Sequence, residues 1–137
     1  MKTQRFFYFL IITVLFSACK KEIDYRDKWI GTYECEEIYS YSFGPGGDPN
    51  SSSGREIYQV KVVVKAKGNN FVDFFMNRNE KHYEANISED GSFDKFNDTE
   101  PHSINGNFHA DSLNMTIVYS YSAGHSRVSY FKGKKQK

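Results

Sequence analysis

Tyrosines on the apolar side of alternating segments are the residues of this chain best suited to hold a ligand. Each phenol offers a flat ring for stacking and a hydroxyl for hydrogen bonding, so a cavity lined by them would suit an aromatic or amphipathic molecule. The same rings could instead fill the interior of a small barrel, with their hydroxyls emerging at its rim. Six of them are candidate ligand-binding residues: Tyr33, Tyr39, Tyr58, Tyr83, Tyr119 and Tyr121.

Patterns typical of catalysis or metal binding do not occur in the sequence. It contains no Gly-x-Ser-x-Gly elbow, no P-loop and no Gly-x-Gly-x-x-Gly. Glu36 and Glu37 are adjacent, and adjacent residues of a strand point to opposite faces, so they do not form a catalytic pair. The histidines lack His-x-His or His-x-x-His spacing and are expected at the surface: His82, His102, His109 and His125. We therefore expect no catalytic residues, no metal and no cofactor, and a protein that is not an enzyme.

The N-terminus carries a pattern typical of export. Lys2 and Arg5 precede an apolar run of 11 residues, 6–16, which is much shorter than the roughly 20 residues of a membrane-spanning helix. Ser17-Ala18-Cys19 follows, two small residues and a cysteine. The run that ends at Cys19 resembles the lipobox of bacterial lipoproteins, with Phe16 where leucine is usual. The resemblance implies cleavage after Ala18, a diacylglycerol thioether on Cys19 and acylation of the new amine, with palmitate as a typical acyl group.

A lipidated Cys19 would anchor the protein stably, since several acyl chains give stable membrane binding whereas a single chain gives only marginal binding. We expect residues 1–18 to be the signal peptide, 19–27 the lipidated cysteine with a polar tether, and the location to be the bacterial outer membrane. Lys20 and Lys21 come before Glu22, which leaves open whether the domain faces the periplasm or the cell surface.

The charge and length of the processed chain exclude some classes of protein. Removal of residues 1–18 leaves 119 residues with 16 basic and 17 acidic side chains. This near-balance argues against a nucleic-acid binder, which needs a basic surface to neutralise phosphates. Cys35 is then the single cysteine besides Cys19, and its position in a strand pattern predicts a buried, inert thiol in a monomer.

The rest of the chain alternates with period two, which predicts strands. The alternation is clearest over residues 29–41, 56–67 and 111–121, and it is weaker over 71–76, 82–88, 92–96, 104–110 and 126–132. Residues 23–30 could form a short helical turn that leads into the first strand. Glycine, asparagine and aspartate mark turns between neighbouring strands. The sequence thus predicts an all-β domain of eight strands.

Short connections force consecutive strands to pair antiparallel. Eight such strands with one apolar face can close into an up-and-down barrel over residues 28–133, with 134–137 as a basic tail. A two-layer β-sandwich is the alternative architecture. Residues 43–55 are the exception among the connections, since they form a long Gly-, Pro- and Ser-rich segment that could cover one mouth of the barrel.

The segments that open and close this body are similar to those of the lipocalin-like lipoproteins of Bacteroidetes. They are Trp29-Ile30-Gly31-Thr32-Tyr33 at the start and Tyr130-Phe131-Lys132-Gly133-Lys134 at the end. The resemblance implies that Trp29 plugs the closed end of a barrel. It also implies a non-catalytic protein that binds a small apolar or amphipathic ligand.

The alternative is a filled barrel that acts as a protein-interaction or structural module of the cell envelope. A continuous cavity of about 300 Å³ or more would favour the binder. An interior with only water-sized voids, closed by Trp29, Val62, Phe108 and Ile117, would favour the module.

The lipobox-like run makes a testable prediction about Cys19. Mass spectrometry of protein extracted from membranes should find a chain that begins at Cys19 and carries the mass of a diacylglycerol and an amide-linked acyl group. The Cys19→Ala variant should lack both additions and keep residues 1–18, because the thiol is the acceptor of the lipid. An intact Met1 or an unacylated Cys19 in the wild type would contradict the prediction.

Overall fold

The computed structural model describes residues 24–44, 52–78, 80–96, 101–120 and 125–137. The predicted signal peptide, Cys19 and Tyr121 lie outside the described residues. Within them a short 3₁₀ helix, Tyr25–Lys28, precedes eight strands. The strands are β1 (Gly31–Phe43), β2 (Ser52–Lys67), β3 (Phe71–Met76), β4 (Lys81–Ile87), β5 (Ser92–Phe96), β6 (Ser103–His109), β7 (Ser112–Ser120) and β8 (Ser126–Lys135). No described helix has the length and apolar character needed to cross a bilayer.

The sheet closes into an antiparallel up-and-down barrel, as predicted. Each strand pairs with its sequence neighbours, and β1 also pairs with β8 from Tyr33 opposite Lys135 to Ser42 opposite Ser126. This last ladder leaves the sheet without an edge, so the alternative of a two-layer sandwich is wrong. In a closed sheet one parity of every strand faces the interior and the other faces solvent.

Two strand ends differ from the prediction. β2 begins at Ser52 and pairs with Phe43, so the connection predicted over residues 43–55 is shorter, and residues 45–51 of it lie outside the described part of the chain. β8 continues to Lys135, and the Gln136 N–H donates to the carbonyl of Thr32 at 2.8 Å. The basic tail predicted over 134–137 therefore belongs largely to the barrel. Both extensions are held by backbone pairing. Backbone pairing does not require alternating apolar residues, so the sequence gives no sign of it.

The 3₁₀ helix covers one end of the barrel and is held there by Arg26. The carboxylate of Asp24 accepts hydrogen bonds from the Arg26 side chain and from its backbone N–H, and these bonds hold the pKa of Asp24 at about 2. Nη1 of the buried Arg26 also donates to the carbonyls of Lys67, Gly68 and Phe71 at 2.7–3.1 Å. The predicted helical turn is thus present, and it includes residues 25–27 of the predicted tether.

Aromatic rings fill the barrel behind this helix. Trp29 stacks on Phe108 with ring centroids 5.4 Å apart, and Phe93 packs against Phe108 at 5.2 Å. Tyr33 is fully buried beside them, and its hydroxyl donates to the carbonyl of Trp29 at 2.9 Å. The end near Trp29 is therefore closed, in agreement with the plug that the resemblance implied.

Gly91 allows the indole of Trp29 to approach the backbone closely. Its φ is +90°, and a Cβ there would stand 2.7 Å from Cζ2 of Trp29 and 2.9 Å from the carbonyl oxygen of Phe108. Gly68 also has a positive φ, +52°, but a Cβ there would meet no atom within 4 Å. A side chain at Gly68 would therefore add backbone strain alone, whereas a side chain at Gly91 would add both strain and a steric clash.

We predict that Gly91→Ala lowers the free energy of unfolding by at least about 3 kcal/mol, since the new methyl group adds a clash to the backbone strain. The matched variant Gly68→Ala should lose only about 1 kcal/mol, the cost of the left-handed conformation alone. Urea unfolding followed by circular dichroism measures both. Equal losses in the two variants would show that the contact between Gly91 and Trp29 does not hold the plug.

Candidate functional site

The end of the barrel opposite Trp29 has a polar interior. The last residues of β1, β3, β5 and β7 and the first residues of the strands that follow them lie at this end. Apolar side chains occupy the inward positions near Trp29, but charged and hydroxyl groups replace them here. Glu37 on β1 and Ser129 on β8 are buried, although both are polar. A barrel filled only to exclude water has no need of such groups.

A cavity of about 160 Å³ lies within this polar end. Its volume is about half the lower limit of roughly 300 Å³ for a site that takes a drug-sized ligand. It is close to the roughly 150 Å³ that accommodates benzene in an apolar protein cavity. The cavity is therefore larger than a water-sized void and smaller than the cavity expected of the binder. Its lining comprises Glu37, Tyr39, Met76, Arg78, Lys81, Tyr83, Tyr119, Arg127, Ser129 and Phe131.

Glu37 is the carboxylate of this lining, and both of its oxygens accept hydrogen bonds. Arg78 donates from Nη1 to Oε2 at 2.7 Å, and Ser129 donates from its hydroxyl to Oε1 at 2.8 Å. The guanidinium of Arg78 also lies over the ring of Tyr58, 3.2 Å from its centroid. These contacts offset the cost of removing the carboxylate from water. They also tie β1 to β8 and to the turn after β3.

Tyr83 and Tyr119 face each other across the cavity with their hydroxyls hydrogen bonded. Burial is the main cause that raises the pKa of both phenols, so both stay protonated near neutral pH. Two cations lie beside the Tyr119 ring: Nζ of Lys81 is 4.8 Å from its centroid, and Cζ of Arg127 is 5.4 Å away. Such distances allow cation–π attraction. Two of the cationic side chains that line the cavity thus lie against one ring.

The predicted tyrosines have three different positions. Tyr39, Tyr83 and Tyr119 line the cavity, and their role in ligand binding stays a prediction. Tyr58 lies beside it, and its hydroxyl donates to the carboxylate of Glu56. Tyr33 does not reach the cavity, because it is packed in the core next to Trp29. Tyr121 and Cys19 are outside the described residues.

Sequence reasoning missed the charged and hydroxyl residues of the cavity. Glu37 has the same parity as Cys35 and Tyr39, and Arg127 and Ser129 have the same parity as Phe131. A polar residue at an inward position of an alternating strand was therefore the signal that could have identified them. Its meaning depends on the position along the barrel axis, which the alternation does not give.

Other sites for chemistry are weaker in the described part of the chain. No group of three or more His, Cys, Asp or Glu residues within it could hold a metal. Cys35 is a free, buried thiol as predicted, and burial raises its pKa to about 12, which makes it a poor nucleophile. A larger depression of about 630 Å³ lies on the outer wall, between Glu36 and Asn105, and is open to solvent.

Neither a protein-family model nor a curated protein matches the sequence. The resemblance to lipocalin-like lipoproteins therefore stays a prediction.

The environment of Glu37 predicts that its removal destabilises the barrel. Glu37→Ala should lower the free energy of unfolding by about 2 kcal/mol, because Arg78 and Ser129 both lose their charged partner. Glu36→Ala is the matched control on the solvent side of the same strand, and it should change stability by less than about 0.5 kcal/mol. Chemical unfolding of both variants checks this, and equal effects would mean that the ion pair adds nothing to the fold.

Proposed function

We propose that this protein is a lipid-anchored outer-membrane lipoprotein whose barrel binds a small amphipathic molecule without transforming it. The anchor is Cys19, from the lipobox-like run at the N-terminus, and the binding site is the cavity at the polar end. The proposed ligand is smaller than the one predicted from the sequence, about the size of one aromatic ring. It is also more polar.

The observation that carries the proposal is the contrast between the two halves of the interior. The half near Trp29 is closely packed with aromatic and aliphatic side chains. The other half encloses a cavity whose lining combines aromatic rings, apolar side chains and polar groups. Concave sites with this mixture are typical of small-molecule binding. A barrel that served only as a rigid body would be expected to close both halves in the same way.

Binding without catalysis fits the groups that line the cavity. Glu37 already accepts hydrogen bonds at both oxygens, so it is poorly placed to take a proton from a ligand. The hydroxyl of Ser129 donates to the same carboxylate, so it too is engaged within the protein. The lining is therefore suited to hold a molecule rather than to react with it.

The second candidate function is an interaction module, and a row of apolar side chains on the outer wall favours it. Ile57, Ile38 and Tyr130 are neighbours across β2, β1 and β8. Ile57 is 58% exposed and Tyr130 is 49% exposed. Exposed apolar groups that adjoin one another are characteristic of protein contacts. Such a contact is compatible with a ligand inside the barrel.

Saturation-transfer NMR on the lipidated protein in nanodiscs tests the proposed function. Phenol, benzoate and benzylamine are the single-ring probes, and at least one should receive saturation and compete with the others for one site. The three-ring 9-anthracenecarboxylate exceeds the cavity and should receive none above the level of protein-free nanodiscs.

Two variants locate the binding. Met76→Trp places an indole in the cavity and should abolish the signal, whereas Thr116→Trp places the same group on the outer wall and should leave it unchanged. Circular dichroism confirms that both variants are folded. Absence of saturation transfer for every probe, or equal signals in the two variants, would contradict the proposal.

A further inference from the structure

We infer that the outer wall of the barrel carries a second ligand site, the open depression between Glu36 and Asn105, and that this site binds a neutral saccharide. The inference does not depend on the proposed function, because the depression lies on the solvent side of the wall that β6, β7, β8 and β1 form. It follows from the register of the outward side chains, from their hydrogen-bonding groups and from their charges.

Strand register brings the outward side chains of the depression into two adjacent rows. One row crosses β1, β8, β7 and β6 through paired positions and consists of Ile38, Tyr130, Thr116 and Asn105. The other row lies two residues closer to the Trp29 end and consists of Glu36, Lys132, Asn114 and Asn107. Because neighbouring strands are about 4.8 Å apart and alternate residues of a strand about 6.7 Å apart, the two rows cover an area of about 14 by 7 Å.

The polar groups of these rows are available to a ligand. Within the described part of the chain, the side chains of Asn105, Thr116 and Tyr130 have no hydrogen-bond partner. Nδ2 of Asn114 donates to Oδ1 of Asn107 at 3.2 Å, which leaves an N–H group of Asn107 to donate and the side-chain oxygen of Asn114 to accept. Amides and hydroxyls can both donate and accept, as sugar hydroxyls do. The lining therefore suits a ligand with many hydroxyl groups.

Tyr130 provides an aromatic platform beside these groups. Its side chain is 49% exposed, and Ile38 is its neighbour on β1. The face of an aromatic ring carries partial negative charge, so it attracts the C–H groups on the apolar side of a pyranose ring. A sugar stacked on Tyr130 would place its hydroxyls over Thr116 and toward the asparagines of β6 and β7.

The charges around the depression favour an uncharged ligand. Glu36 and Lys132 are the charged residues of its described lining, and they are cross-strand partners. Glu34 and Lys134 form the next outward pair along the same two strands, and Asp94 lies on the neighbouring strand β5. An anion would thus meet carboxylates and a cation would meet ammonium groups, whereas a neutral molecule meets neither repulsion.

The lining distinguishes a saccharide from a protein partner. The centre of a protein interface is enriched in apolar and aromatic groups, and such groups lie mainly on the β2 side of Tyr130, at Ile38 and Ile57. On the other side of Tyr130, toward β6, the outward lining is polar. The closed sheet also offers no strand edge to which an extended peptide could pair.

Saturation-transfer NMR on the lipidated protein in nanodiscs tests the inference, with protein-free nanodiscs as the reference. The probes are four neutral disaccharides: maltose, cellobiose, lactose and chitobiose. At least one should receive saturation, with a Kd on the order of 1 mM, because an open depression covers one face of the ligand only. Salt should change this Kd by less than about twofold, since no net charge attracts the ligand.

Two pairs of variants locate the binding. Tyr130→Ala removes the stacking ring and should raise the Kd at least about threefold, whereas Phe96→Ala removes another exposed ring of the outer wall and should leave it unchanged. Asn105→Leu keeps the approximate shape of the side chain but removes its hydrogen bonds, so it should raise the Kd about fivefold. Asn86→Leu, on the outward face of β4, is its matched control. Circular dichroism confirms that all four variants are folded.

The outcomes separate this inference from the proposed function. Met76→Trp fills the cavity inside the barrel and should leave disaccharide binding unchanged, and Tyr130→Ala should leave the single-ring probes unchanged. Absence of saturation transfer to every disaccharide, or equal losses in Tyr130→Ala and Phe96→Ala, would show that this inference is wrong while the proposed function stands. If no disaccharide binds and Tyr130→Ala changes the sedimentation coefficient of the protein, the wall is a protein contact instead.

Discussion

The pairing of β1 with β8 is the constraint on which the rest of this structure depends. Ten residue pairs, from Tyr33 with Lys135 to Ser42 with Ser126, convert a meander of hairpins into a closed barrel. Closure removes both edges of the sheet and divides every strand into one face toward the interior and one toward solvent. A polar residue on the inward face then has no route to bulk water except through an open end. Each such residue must find a partner inside or lie near that end.

The two ends of the barrel solve this problem differently. At the end covered by the 3₁₀ helix, Trp29 and its aromatic neighbours exclude water, and Gly91 allows the indole to approach the backbone. The charge of Arg26 is tolerated there because backbone carbonyls and Asp24 surround it. At the other end, Glu37 is satisfied by side chains from two different parts of the chain. One end is thus fixed by packing and the other by ionic hydrogen bonds.

Most of the fold could be predicted from the sequence, because alternation with period two and short connections leave few topologies for eight strands. The start of β2 was not predictable, since Ser52 and the residues after it are polar on both faces and pair with β1 through the backbone. The position of Tyr33 along the barrel could not be predicted for another reason. Alternation reports the face of the sheet to which a side chain belongs, but depth along the barrel axis depends on strand register and tilt. Tyr33 and Tyr39 share one face and lie at opposite ends.

The candidate site was predictable only in part, for the same reason. Phenols could be recognised as amphipathic lining, and three of the six tyrosines line the cavity. Glu37, however, is an acid at an inward position whose partners the sequence does not reveal, and only the register places it opposite Phe131 on β8 and Tyr58 on β2. Its ion pair with Arg78 is also a poor explanation of stability by itself, since a buried pair is often replaceable by apolar residues at little or no cost. Apolar side chains at this end would fill the same barrel more simply. The ionic groups therefore make better sense as parts of a site that keeps a small polar volume inside the barrel.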